Sequence, residues 1–165
     1  MIKFIVATPD DIPVIQRLAH EIWYAYYPSI ISLEQIAYML DWMYSSQTIE
    51  REMADDYQWR LLQQKNEPIG FISYHFEKPV QEVKLNKIYV LPAFHGQGIG
   101  KQALQYVIEQ AKEMGATAVY LTVNKKNHRA IEVYLRFGFF IERSENFDIG
   151  QGFFMDDYIM RLNLR

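Results

Sequence analysis

The stretch Ile88-Tyr89-Val90-Leu91-Pro92-Ala93-Phe94-His95-Gly96-Gln97-Gly98-Ile99-Gly100-Lys101 joins a strand to a helix through three alternating glycines, a junction suited to holding a phosphate. The first turn of a helix carries N–H groups with no partner inside the helix, and the macrodipole makes that end electropositive. An anion is held there without a charged side chain. Glycines at 96, 98 and 100 remove the Cβ atoms that would keep a pyrophosphate from those N–H groups, and Lys101 adds a mobile positive charge at the rim.

Two better-known phosphate loops fit these residues poorly. The nucleoside-triphosphate loop G-x-x-x-x-G-K-[ST] requires a glycine where His95 stands and a hydroxyl residue where Gln102 stands. The dinucleotide fingerprint G-x-G-x-x-G started at Gly96 meets Lys101 in its last position. Started at Gly98 it meets Ala103, the small alternative that fingerprint tolerates, so this register stays open, as does a glycine-rich turn that holds nothing.

A second constellation narrows the choice. Asn127-His128-Arg129-Ala130-Ile131-Glu132-Val133-Tyr134-Leu135-Arg136-Phe137-Gly138 reads as a short helix, with Asn127 as its N-cap, Ala130, Val133, Tyr134 and Phe137 on one face, and Gly138 as its stop. Taken alone, Tyr134 reads as a core aromatic with its hydroxyl at the edge.

The two motifs together, separated by a helix and a strand, resemble the GNAT family of N-acetyltransferases from about Glu67 to Phe139. The family's loop pattern, [Arg/Gln]-x-x-Gly-x-[Gly/Ala], becomes His95-Gly96-Gln97-Gly98-Ile99-Gly100 here, and His95 in place of Arg or Gln leaves the backbone cradle as the part carried over. The resemblance implies an enzyme that takes acetyl-CoA as donor, with the backbone from His95 to Lys101, including Gln97 and Ile99, around the pyrophosphate. It implies pantetheine contacts from Asn127 and from the backbone of Ile88, Tyr89 and Val90, and Tyr134 as general acid beside the sulfur. The implied fold is mixed α/β, a central twisted sheet of about seven strands flanked by helices on both faces, in a single N-acetyltransferase domain over residues 1–165.

The base and the acceptor are less defined. Glu82, Tyr89 and His75 are base candidates because strand positions near the loop suit a group that reaches an amine directly or through water. Glu21 to Pro28 and Asp41 to Tyr44 occupy the region that forms the acceptor wall in this family. There the rings of Trp23, Tyr26 and Tyr27 with Asp41 suit a cationic amine, or else simply pack amphipathic helices on the sheet. Leu85-Asn86-Lys87-Ile88-Tyr89-Val90 and Asp156-Asp157-Tyr158-Ile159-Met160 resemble PaiA-type polyamine acetyltransferases, so a small amine such as a polyamine is the preferred acceptor. Acetylation of a peptide α-amine and a non-catalytic CoA-binding module are the alternatives.

Composition agrees with one ordinary domain: 165 residues, half of them apolar, enough for a substantial core. The absence of cysteine excludes disulfides, thiolate metal sites and a cysteine acyl-enzyme, so acetyl is expected to move directly. The four histidines, His20, His75, His95 and His128, show no metal-ligand spacing, and no metal is expected. A net charge of -3 does not suit a nucleic-acid binder. No apolar run is long enough to span a bilayer and no cleavage-type signal is seen, so a cytoplasmic protein with no membrane partner is expected. Monomer and homodimer are equally compatible with these residues.

Elements that position the motifs follow from pattern. Residues 2 to 7 read as a strand, Thr8-Pro9-Asp10-Asp11 starts a helix to about Tyr26, and Pro28 breaks it. Ser32-Leu33-Glu34-Gln35 opens a second helix, and a third is expected around Thr48 to Ala54. Strands are expected at about Trp59 to Gln64, Ile69 to Phe76 and Val83 to Val90, a helix from Gly98 to Met114, and a buried strand from Ala118 to Val123. After the Asn127 helix, strands are expected near Phe139 to Arg143 and Phe153 to Leu162, joined by a loop containing Gly150 and Gly152.

Overall fold

The structure, a computed structural model, describes residues 1–164; Arg165, the last position of the expected domain, lies outside the described residues. Seven strands and five α-helices alternate as β1 (Ile2–Val6), α1 (Ile12–Tyr26), α2 (Leu33–Met43), α3 (Ser46–Ala54), β2 (Gln58–Gln64), β3 (Glu67–Glu77), β4 (Glu82–Val90), α4 (Ile99–Glu113), β5 (Ala118–Asn124), α5 (His128–Arg136), β6 (Phe140–Gly150) and β7 (Phe153–Asn163). The strands form one mixed sheet in the order β1-β2-β3-β4-β5-β7-β6. The expected mixed seven-stranded architecture is therefore present.

The chain divides into two compact units, one of Met1–His75 with Lys87–Gln105 and one of Phe76–Asn86 with the chain from Tyr106 onward. In the first, α1 buries Ile15, Leu18, Ala19 and Ile22, the stripe that a 3.6-residue repeat turns to one side. It stops at Tyr26 because Pro28 lacks an N–H to continue the ladder, and a 3-10 turn over Tyr27–Ser29 follows. Ser32 and Ser45 cap α2 and α3, their hydroxyls accepting from Gln35 N and Thr48 N at 3.1 Å each. Trp59, Leu62, Phe71 and Ile72 bring β2 and β3 into the core of this unit.

In the second unit, β4 and β5 run parallel and share a ladder at Val83↔Val119 and Lys84↔Tyr120, while β4 itself continues to Val90. On its other side β5 pairs with β7 along its whole length, from Ala118↔Asn163 to Asn124↔Asp157. Val119, Leu121 and Val123 alternate into the core, as period-two strands require.

One expectation needed correction. The sixth strand does not stop near Arg143 but runs to Gly150, and the connection to β7 is two residues, Gln151 and Gly152, both at positive φ (55° and 78°). Such a turn matches the twist of the flanking strands, so pairing continues up to it despite the polar run Ser144-Glu145-Asn146. β6 is an edge strand exposed on both faces, with Phe140 and Ile141 at 44% and 43%.

Candidate active site

The glycine loop lies entirely in the first unit. After β4 a 3-10 turn over Pro92–Phe94 leads to His95, Gly96 and Gly98, the two glycines at φ +81° and +75°, where a side chain is strained. The ladder of α4 begins with Gln102 N donating to Gly98 O (3.1 Å), so the N–H groups of Ile99, Gly100 and Lys101 have no acceptor within the helix. Cβ atoms built on Gly96, Gly98 and Gly100 would meet nothing within 4 Å. Ile99 is buried and anchors the helix start, whereas Gln97, Gly100 and Lys101 are exposed. This is a backbone cradle with its positive end open.

The side chain of His95, unassigned from sequence, has a local role. Its Nε2 lies 2.9 Å from Val90 O, tying the loop to the last residue of β4. That contact occupies one of the two acceptor positions of the Val90 carbonyl. Upstream of it, Gly70 on β3 is pressed against this strand end: a Cβ there would lie 2.3 Å from Tyr89 O.

Next to the cradle in sequence, Tyr89 joins an aromatic cluster of the same unit. Its hydroxyl is 3.2 Å from that of Tyr27, and its ring packs 5.9 Å from Trp23 and 5.6 Å from Phe71, centroid to centroid. Tyr26 meets Tyr27 edge-on at 5.3 Å. Trp23 is 2% exposed and packs on the rings of Tyr27 and Tyr89, while Tyr26, Tyr27 and Tyr89 are half-buried. Ile88 is half-buried on the same strand.

Asp41 lies elsewhere, in a groove of about 350 Å³ lined also by Gln16, His20, Tyr24, Leu40 and Tyr44. His75 stacks on Tyr57 with ring centroids 4.0 Å apart. Lys87, not singled out from sequence, is 6% exposed with Nζ over the rings of Trp59 (5.2 Å) and Tyr44 (5.5 Å). Burial pushes the Tyr44 hydroxyl well above the usual phenol range.

In the second unit, Asn127 is buried and its Oδ1 accepts from Ala130 N at 3.3 Å, the N-cap expected of it. Gly138, at φ +98°, ends the helix. Tyr134 is buried at 9%, its ring 5.7 Å from Phe139. Glu82 is held by Arg161, whose Nη1 lies 2.5 Å from Oε2, and the same guanidinium contacts Glu142 at 2.9 Å. Tyr120 donates to Glu77 at 2.5 Å; burial first, then that bond, push its hydroxyl well above the usual phenol range.

Asp157, named from sequence only as part of the PaiA-like segment and given no role there, is 2% exposed opposite Asn124. Burial pushes its carboxyl up to about 6, with Asp156 adding to the shift and Lys125 and Lys84 opposing it. The only signal in the sequence was the pair Asp156-Asp157 inside a strand otherwise rich in large apolar residues.

Residues 18–139 match the family described as the Acetyltransferase (GNAT) family. Over 80 residues the chain is 38% identical to an uncharacterized N-acetyltransferase of Mycobacterium bovis, covering 48% of this chain and 51% of that protein. It is 33% identical over 85 residues to the aminoalkylphosphonate N-acetyltransferase of Salmonella typhimurium, covering 49% and 55%. The chain thus spans about half the length of the curated relatives it matches. In fold it is similar to the crystal structure of the PaiA N-acetyltransferase from Thermoplasma acidophilum in complex with coenzyme A, with a TM-score of 0.83, 22% identity and 99% of each chain covered. No helix among the described residues is long and apolar enough to cross a membrane. With the family match running through both the glycine loop and the Asn127 helix, this protein belongs to the GNAT family of acetyltransferases.

Proposed function

We propose that this protein is an acetyl-CoA-dependent N-acetyltransferase, a single domain over residues 1–165 that moves acetyl directly to a primary amine of a small molecule. The observation that favours it most is the cradle at the start of α4. Three glycines whose missing Cβ atoms would meet only open space stand beside N–H groups without helical acceptors. Within the chain nothing requires Gly100 to be glycine, since its φ is not positive and it has room for a side chain. A pyrophosphate lying on the backbone does require it.

Bound there, acetyl-CoA supplies an activated acyl carbon whose C–S bond breaks as the new C–N bond forms. The N–H groups of residues 96–101 hold its phosphates. The backbone of Ile88 and Tyr89 and the N–H of Val90 align pantetheine and stabilise charge gathering on the acetyl oxygen. Asn127 contacts the pantetheine arm, and Tyr134 donates a proton to the departing sulfur. The absence of cysteine supports transfer without a thioester on the protein.

For the acceptor, the half-buried rings and paired hydroxyls of Tyr27 and Tyr89 suit an alkyl ammonium, as does the likeness to an enzyme named for aminoalkylphosphonates. A polyamine is the preferred substrate. The test is thiol release from acetyl-CoA with spermidine, 2-aminoethylphosphonate and peptides with unblocked N-termini. Turnover of spermidine is expected. Turnover of peptides alone would defeat the small-amine reading, and CoA binding by calorimetry with no turnover at all would reduce the protein to a binding module.

A further inference from the structure

The buried carboxyl of Asp157 has no role in the reading above. It lies on β7 opposite Asn124, the residue at which β5 ends. From Asn124 the chain turns into the helix of Asn127 and Tyr134: Asn127 N donates to Asn124 O at 2.9 Å, and Lys125 N donates to Asp156 O at 3.1 Å, so β7 clamps that turn. Cross-strand partners share a face, which puts the Asp157 side chain on the side of Asn124 and, across β6, of Glu145.

Among the described residues no hydrogen bond or ion pair engages this carboxyl, although the residue is 2% exposed. Its neighbours are committed elsewhere. Lys125 is paired with Asp156 at 2.8 Å, and Glu145 accepts from Arg143 at 3.1 Å. Lys84 is the remaining charge acting on it, half-buried on β4. A carboxylate so nearly buried and without a bonded partner is costly unless a cation reaches it. The cation that an amine acetyltransferase admits is its acceptor.

We propose that Asp157 receives the acceptor amine and takes its proton, a catalytic role that rests on the acetyltransferase reading. The ammonium first gives one proton to the Asp157 carboxylate, which releases it to solvent and leaves a neutral amine; as that amine forms the C–N bond and the C–S bond breaks, a second proton passes from nitrogen to Asp157 and the sulfur takes one from Tyr134. Return of the Asp157 proton to the Tyr134 oxygen through solvent restores both groups. With its carboxyl near 6, Asp157 is ready to accept a proton at neutral pH and is disabled below that value. Burial and then Asp156 hold this value up, while Lys125 and Lys84 draw it down; Glu145 is its cross-strand partner on β6.

The test compares Asp157→Asn and Asp157→Glu with the unaltered protein, using spermidine, 2-aminoethylphosphonate and propylamine as probes. It reads kcat/KM for the amine from about pH 5 to 9 and CoA affinity by calorimetry. The Asn variant is expected to lose about 100-fold or more in kcat/KM, to lack the acid limb centred near 6, and to bind CoA within about twofold of normal. The Glu variant is expected to recover at least about tenfold and keep an acid limb at a shifted position. Turnover of the Asn variant within about threefold, acid limb intact, overturns the role of Asp157 and leaves the acetyltransferase reading standing. If the Asn variant does not fold, an acid limb that stays in place in the Glu variant overturns the proposal. If the unaltered protein binds CoA but acetylates none of the probes, the proposal falls together with the small-amine reading.

Discussion

The hydroxyls of Tyr27 and Tyr89 stand 3.2 Å apart although the residues are 62 positions distant in the chain. Tyr89→Phe removes one of them and leaves the ring packed against Trp23 and Phe71. The expected cost is about 0.5–1.5 kcal/mol in stability, with a roughly tenfold loss in kcat/KM for the amine and an unchanged KM for acetyl-CoA. Thermal melts and steady-state kinetics on the same preparation check this. An unchanged amine kcat/KM would remove Tyr89 from the acceptor site.

Two glycines should respond in opposite ways. Gly100→Ala adds a methyl group where the chain has room and where a helix favours alanine, so stability should rise by up to about 1 kcal/mol. If the proposed cradle holds the pyrophosphate, CoA affinity should nevertheless fall at least about tenfold, because the added methyl group would crowd the backbone that carries it. Gly70→Ala forces a Cβ to 2.3 Å from Tyr89 O and should cost about 1–3 kcal/mol. Denaturant unfolding with and without CoA separates the two. A Gly100→Ala protein that binds CoA normally would dismiss the cradle.

Tyr134→Phe keeps the buried ring and deletes the hydroxyl. If that hydroxyl protonates the sulfur, kcat should fall about 100-fold or more while CoA affinity stays within about threefold. Single-turnover thiol release and calorimetry measure the two separately. Equal loss in both would mean that the residue serves binding rather than proton transfer.

Glu82 is held at 2.5 Å by Arg161, both side chains 18% exposed. Glu82→Gln should therefore cost about 1.5–3 kcal/mol in stability and leave kcat/KM within about threefold. A large fall in kcat/KM with the melting temperature preserved would instead favour Glu82 as the base.

Asp157 makes stability depend on pH with an unusual sign. Its ordinary value is 3.8 and its folded value is about 6, so between those limits the native state binds a proton that the unfolded chain releases. Its contribution to stability is greatest below about 4 and is lost as pH rises through 6. Asp157→Asn should abolish this slope and be the more stable protein at pH 8 by on the order of 1 kcal/mol or more. The difference between the two urea midpoints, followed from about pH 4 to 8, isolates the effect. A pH-independent difference would refute it.

Local chemistry made the loop and the Asn127 helix readable before any fold was known. A cap, a stop glycine and a glycine-rich helix start act within a few residues, so their spacing survives in the sequence. What escaped was long-range. The Tyr27 and Tyr89 pairing depends on where a 3-10 turn brings one ring against a distant strand, and the burial of Asp157 depends on β7 lying between β5 and β6. The His95 bond to Val90 O is local, yet it needed the actual path of the turn over Pro92–Phe94 to become visible. The end of β6 was misjudged because its polar run carries no alternation, and the turn at Gln151-Gly152 outweighed that run.

That edge strand has a practical consequence. Phe140, Ile141 and Phe147 line an uncovered margin of the sheet, an invitation to stacking with other chains, but they are interrupted by Glu142, Arg143, Glu145 and Asp148. Such charges act as gatekeepers against aggregation, because an approaching strand would have to strip them of water. Colloidal behaviour during concentration or acidification will be decided on β6, and any engineering that trims its charges should be offset there.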